Sequence, residues 1–233
     1  MIRVFDRNIF IMLLAIMIGV IIITYFIADL VNHSKLETLT TEYKTEITTI
    51  SSKSENFTSY FLKSSVLLDQ ARGDLSFGNY HFDLAFLWYN SALSEKNISN
   101  LELYKTRGID NCTNAFPYYI IAYDNYKDAK SYFNETKSFT NYKLYLDILE
   151  LYICLTDSGS NLSMLRYNAS LYLMYLIENI SYDKINNSVM YLENVTDILI
   201  SFSSTIESYN NELEKYNQYQ NAIDEYEFFD ENR

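Results

Sequence analysis

Residues 9–28, IFIMLLAIMIGVIIITYFIA, run for twenty positions without a charge. A helix rises 1.5 Å per residue, so this stretch covers about 30 Å, the thickness of one hydrocarbon core. A buried helix of a soluble protein would be shorter or would show a polar face. Tyr25 stands near one end, where aromatic rings favour the membrane interface. The sequence therefore places a single N-terminal transmembrane helix here, with the lipid bilayer as its partner.

The span reads as a retained anchor. A secretory apolar region usually covers about 7–15 residues and closes on a small-residue cleavage site. Here the run is longer and passes into Ala28, Asp29, Leu30 and Val31 without an A-x-A pattern. Arg3 and Arg7 precede it against one Asp6, whereas Lys35 and Lys44 follow it among Asp29, Glu37, Glu42 and Glu46. Basic flanks stay on the cytoplasmic side. Residues 1–8 are thus expected as a cytoplasmic tail and 9–31 as the anchor, with the bulk of the chain extracytoplasmic at the cell membrane.

Ten N-x-S/T sequons all lie downstream of the span, at Asn32, Asn56, Asn97, Asn111, Asn134, Asn161, Asn168, Asn179, Asn186 and Asn194. With 23 Asn and 38 Ser plus Thr in 233 residues, chance gives about four. Asn32 lies close to the membrane, so the other nine are the expected acceptors. The excess marks an exterior domain carrying N-linked glycans.

One Pro and five Gly leave little turn chemistry for a β-sandwich or for βαβ units, so an all-α chain is expected. Residues 32–233 carry 16 Lys plus Arg against 28 Asp plus Glu, a surface that repels nucleic acid and anionic lipid. Nucleic-acid binding is rejected on that ground. The 23 Tyr read as amphipathic core residues rather than a sugar-stacking platform. Cys112 and Cys154 fall in the exterior part, where an oxidising setting would let them pair as a disulfide. Closing that loop would stabilise by about 4 kcal/mol on the chain-entropy model. The alternative is two separate buried thiols. Two Cys with His33 and His81 are too few to hold a metal, and no cofactor is expected.

Residues 32–75 read as a membrane-proximal stalk helix ending near Arg72. Its apolar positions Leu36, Leu39, Tyr43, Ile50, Phe57, Tyr60, Leu67 and Ala71 fit a heptad seam, interrupted by Glu46, Lys53 and Ser64. Six Thr between Thr38 and Thr49 lower helix propensity, because β-branching restricts the side chain. Residues 76–223 then form an extracytoplasmic helical-hairpin domain, and residues 224–233 an acidic tail with exposed aromatics.

Gly78-Asn79-Tyr80 followed by Ala85, Tyr89, Ala92 and Leu93 resembles the second helix of a tetratricopeptide repeat, with Ala71 as the small residue before it. Tyr126, Ala129 and Phe133 repeat part of that pattern. The first copy has two extra residues between Tyr80 and Ala85, and no 34-residue period holds. What the resemblance implies is the αα-hairpin as building unit. Pro117 is expected to kink or restart a helix. Helices follow near 118–133, 140–156 and 162–178, with a turn at Asp157, Ser158, Gly159 and Ser160.

The strongest period comes last. Leu192, Val195, Leu199, Phe202, Ile206, Tyr209, Leu213, Tyr216, Gln220 and Ile223 alternate three and four apart without a slip. That predicts a long coiled-coil-like helix over 185–223, with Asn186 and Asn194 facing outward and Gln220 fixing register. An antiparallel pairing with the stalk inside one chain is favoured over pairing between chains, because it closes a core without a partner.

No nucleophile elbow, HExxH, phosphate loop or Gly-rich dinucleotide turn is present, and Asp147 and Glu150 read as solvated charges. The chain is not expected to be an enzyme. Three roles fit: a structural or protein-interaction subunit of an envelope assembly, with an Ile/Asn/Tyr bias compatible with an archaeal surface; a sensory or solute-binding ectodomain; and a pilin-like filament subunit. Eight residues before the span leave no cytoplasmic output domain, which weighs against the second. The third lacks a prepilin-peptidase site, a basic residue followed by Gly or Ala before the apolar run.

Overall fold

The computed structural model describes residues 2–226, and for residues 2–30 and 32 it describes the backbone alone. In chain order the elements are α1 (Ile2–Ser94), α2 (Ile98–Thr136), a 3-10 turn (Lys137–Phe139), α3 (Lys143–Glu178), β1 (Ile180–Asp183), β2 (Ser188–Tyr191) and α4 (Thr196–Glu225). The chain divides into two compact units, Met1–Ser54 and Glu55–Arg233. In the first, the only described element is the N-terminal part of α1.

The side chains of the span expected over residues 9–28 lie outside the described residues, as do residues 227–233 of the acidic tail. Among the described residues no helix is long and apolar enough to cross a membrane.

The second unit is an up-down-up-down bundle. Its core seam on α1 steps four and three residues at a time through Ser64, Leu68, Ala71, Leu75, Gly78, Phe82, Ala85, Tyr89 and Ala92, all buried. Small residues at every seventh position let α2 approach, and α2 returns large ones: Tyr119, Tyr126 and Phe133 are fully buried. Against α1, Phe133 meets Phe61, Asn125 meets Asp74, and Tyr118 stacks on His81, so the two helices run antiparallel. Glu95 turns the chain between them by accepting from the backbone N–H groups of Lys96 and Asn97 at 2.8 Å. Asn97 then caps α2, accepting from Ser99 N at 2.9 Å.

Phe133 stacks on Tyr152 of α3 with ring centroids 4.7 Å apart, and Phe116 meets Tyr167. Rising α2 numbers against falling α3 numbers make that pair antiparallel as well. Along α4, Arg72 reaches Tyr216, Asn79 reaches Tyr209, and Phe82 and Phe86 stack on Phe202. Helix α4 is therefore antiparallel to α1 inside one chain, as expected of an intrachain bundle, and the stretch of α1 beside it runs from Phe57, near Ile223, to Phe86, against Phe202.

Several element boundaries differ from expectation. The stalk helix does not end near Arg72; α1 continues through Gly73 and Gly78 to Ser94. Pro117 neither kinks nor restarts α2, which runs through it. Pro117 is exposed, and so is Thr113, whose carbonyl loses its helical partner, so water can satisfy that carbonyl. The turn expected at Asp157–Ser160 is the middle of α3. Those small residues are a packing notch: a Cβ on Gly159 would lie 2.4 Å from a ring carbon of Tyr126.

The helix expected over 185–223 begins only at Thr196. Before it, β1 and β2 pair antiparallel with Ile180 opposite Tyr191 and Asp183 opposite Ser188. Asn187 makes the turn with φ 51°, a left-handed conformation that Asn tolerates. Val195, Leu199, Phe202, Ile206, Tyr209, Leu213, Tyr216 and Ile223 all pack on the core, so the seam holds from Val195 onward. Leu192 is outside it, 61% exposed in the connection after β2.

Candidate functional site

Three places in the described residues carry chemistry that simple packing does not require. The first is a polar ladder inside the bundle. The Nε of Arg72 donates to the Tyr216 hydroxyl at 2.9 Å, and its terminal nitrogen donates to Gln220 Oε1. Gln220 in turn donates to Asp224 at 2.8 Å. Farther along, the hydroxyl of Tyr119 donates to Asn79 Oδ1 at 3.2 Å while Asn79 Nδ2 donates to the Tyr209 hydroxyl at 3.3 Å. The guanidinium carbon of Arg166 sits 3.9 Å from the Tyr209 ring centroid and 4.5 Å from that of Phe82. Two aromatic faces thus hold this cation, whose Nε has no hydrogen-bond partner among the described residues.

Burial pushes the hydroxyls of Tyr119 and Tyr126 far above the usual tyrosine range, and burial together with Tyr191 does the same for Tyr89. These groups stay neutral at physiological pH. The ladder's hydrogen bonds and ring contacts tie α1, α2, α3 and α4 together in one register. Asp147 is exposed, and Glu150 pairs with Lys137. Among the described residues no group of three His, Cys, Asp or Glu could hold a metal ion.

The second place is an apolar pocket of about 130 Å³ at one end of the bundle. Phe57 and Phe61 of α1, Tyr145, Ile148, Leu149 and Tyr152 of α3, and Ile223 of α4 line it. Its walls are aromatic pairs, Phe57 with Tyr145 at 5.5 Å and Phe61 with Tyr152 at 5.7 Å.

The third is outward-facing. In the first unit, every described side chain from His33 to Ser54 is exposed. Leu36, Tyr43, Ile47 and Ile50 form an apolar stripe along this stretch, Ile47 being 66% exposed. The hydroxyls of Thr38, Thr40, Thr41, Thr45, Thr48 and Thr49 all donate to the carbonyl four residues back, at 2.7–2.9 Å. These threonines therefore expose methyl groups and spend their polar atoms on their own helix. In the second unit, the hairpin tip presents Ile185 at 94% exposure. Asp183 Oδ1 accepts from the backbone of Ile185 at 2.9 Å and of Asn186 at 3.3 Å, and those bonds hold its carboxyl below the usual range.

The expected glycan acceptors divide by backbone. Asn97, Asn186 and Asn194 stand outside helices, at a helix cap, the hairpin turn and the connection before α4; Asn186 and Asn194 are thus not helical outward-facing positions. Asn179 is the C-cap of α3. Asn56, Asn111, Asn134, Asn161 and Asn168 lie within helices. In three of these sequons the hydroxyl residue, Thr136, Ser163 or Ser170, is fully buried and bonded to its own helix. Asn111 is further held by the His81 ring at 3.1 Å.

Cys112 and Cys154 are both free thiols, which overturns the disulfide. Gly108 of α2 packs on Ile177 of α3, and Tyr126 on Gly159. That register leaves the two cysteines about 19 residues apart along the bundle, roughly 28 Å, far beyond the reach of an S–S bond. Cysteine spacing in sequence carries no information on this offset.

No family model, no curated protein and no solved structure matches this chain. The class it belongs to is defined by its architecture alone: an all-α protein built on an up-down-up-down four-helix bundle with a small β-hairpin.

Proposed function

We propose that this chain is a single-pass, N-glycosylated cell-surface protein that serves as a structural or protein-interaction subunit of a membrane or envelope assembly. The observation that carries the reading is the stripe Leu36, Tyr43, Ile47 and Ile50, exposed on a helix that buries none of its own described side chains from His33 to Ser54. An isolated helix in water is marginal, and an apolar face of this kind needs a partner to cover it. The uncharged run over residues 9–28 supports membrane attachment, and the ten sequons support an exterior location.

The native mass of the protein extracted from its own membrane in mild detergent tests this reading, with components identified in the same run. A large, defined assembly is the expected result. A monomer without companions, or a chain recovered without membrane, would overturn it. Protease added to intact cells should digest the bundle, and full protection there would remove the exterior assignment.

A further inference from the structure

We infer that the stripe Leu36–Tyr43–Ile47–Ile50 is covered by the same stripe of a second copy of this chain. The inference rests on the reading of the protein as an interaction subunit and names its partner.

The first argument is register. Within the bundle the buried seam of α1 steps by four and three from Ser64 to Ala92, and the half-buried Phe57 and Phe61 continue it. Read back along the sequence, the same steps fall on Ser54, Ile50, Ile47, Tyr43, Thr40 and Leu36. Four of these six are apolar, and the Thr40 hydroxyl is already bonded to the Leu36 carbonyl at 2.7 Å. One heptad-like pattern thus runs from Leu36 to Ala92, and a pattern of that period is complementary to another helix rather than to a flat surface. Inside the bundle α2, α3 and α4 supply the covering helices.

The second argument is charge. Residues 1–54 carry five Lys plus Arg and five Asp plus Glu, so all of the net −12 falls on residues 55–233. The bundles carry the like charge, whereas residues 36–54 carry Lys44 and Lys53 against Glu37, Glu42 and Glu46, one net negative charge per copy, so little repulsion opposes their pairing. A strongly basic partner would be drawn to the bundle instead. The third argument is strength. Fewer than three heptads make a weak pair in solution, and attachment of both copies to one membrane raises their effective concentration.

Single cysteines test the inference in the full-length chain in its own membrane, with Cys112 and Cys154 replaced by Ser. Leu36→Cys, Tyr43→Cys, Ile47→Cys and Ile50→Cys should each oxidise to a species of twice the chain mass. Their yield should exceed that of Thr38→Cys, Thr45→Cys and Ser52→Cys, on the opposite helical face, by about fivefold or more. All seven positions are exposed, so the folded state is preserved. Equal yields around the helix, or a peak on the threonine face, would overturn the self-pairing. Adducts with a protein of different mass at the stripe positions would also overturn it while leaving the interaction-subunit reading intact. No adduct at any position, together with a monomeric native mass, would sink both.

Discussion

The ring of Tyr126 occupies the space where a side chain on Gly159 would begin: a Cβ there would lie 2.4 Å from Cε1 and 2.5 Å from Cζ. Tyr126 is fully buried on α2 and cannot swing away, so Gly159→Ala should destabilise by about 1–3 kcal/mol despite the better helix propensity of Ala. Gly73 is the internal control. Nothing lies within 4 Å of a Cβ built there, so Gly73→Ala should stabilise by about 0.5–1 kcal/mol. Thermal melts of the two variants should shift in opposite directions, and a shift of the same sign would contradict the packing described.

Arg72 depends on α4 for two of its acceptors. Gln220→Leu removes one and leaves a half-buried guanidinium nitrogen without it, at a cost of about 1–2 kcal/mol. Tyr216→Phe removes the other. Because both act on one cation, the double variant should lose less than the sum of the singles. Additive losses in urea unfolding would show that the ladder does not act as a unit.

Alkaline pH should weaken the bundle through its buried acids. Burial, with a smaller contribution from the Glu178 charge, pushes the Cys112 thiol from its ordinary 9.0 up to about 12. Burial raises Tyr119 and Tyr126 further still. Folded-state values above the unfolded ones mean that the folded chain holds protons which the unfolded chain releases. Stability is fully present below pH about 9 and is lost as pH rises, from about 9 toward 12 for Cys112 and from about 10 upward for the two tyrosines, by about 1.4 kcal/mol per pH unit for each such group. The urea midpoint should stay flat from about pH 7 to 9 and then fall. Alkylation at neutral pH should label the half-buried Cys154 well before the buried Cys112, and a non-reducing gel should show no intrachain bridge.

Leu199 and Leu213 sit on the α4 seam against the core. Leu199→Asp combined with Leu213→Asp sets two unpaired carboxylates at half-buried seam positions against the core and should unfold the bundle, read as loss of cooperative melting. A folded variant with only its association changed would contradict the intrachain pairing of α4 with α1.

Sequons outside helices should be glycosylated more fully than those inside them. Asn97, Asn186 and Asn194 expose backbone that an acceptor enzyme can reach in the folded chain, whereas the hydroxyls of Thr136, Ser163 and Ser170 are buried. Glycopeptide mapping should rank the first three above Asn134, Asn161 and Asn168. Uniform occupancy would mean that modification precedes folding.

What could be read from the residues was periodic and local. The seam from Val195 to Ile223 was legible because a four-three alternation of apolar side chains has one solution, a helix with one buried face. Gln220 could be expected to fix register because a lone polar group in such a seam must find a partner. The β-hairpin was missed because Leu192 happens to extend the same alternation. The turn-forming residues Asp183, Asn186 and Asn187 were the signal against it, and Asn187 takes the left-handed conformation there.

Sequence alone determined that the chain is nearly all helical and which face of α4 is apolar from Val195 onward, because side-chain period and turn chemistry act within a few residues; on α1 it took Ser64 as an interruption, whereas Ser64 and Leu68 belong to the buried seam. Tertiary structure decided what the small residues are for. Asp157, Ser158, Gly159 and Ser160 carry the composition of a turn, yet they are helical, and Tyr126 fills the space left by the side chain that Gly159 lacks. The distance between Cys112 and Cys154 was decided there too, since axial offset between antiparallel helices depends on which side chains interlock across them. Such choices belong to pairs of residues far apart in the chain, and no local pattern records them.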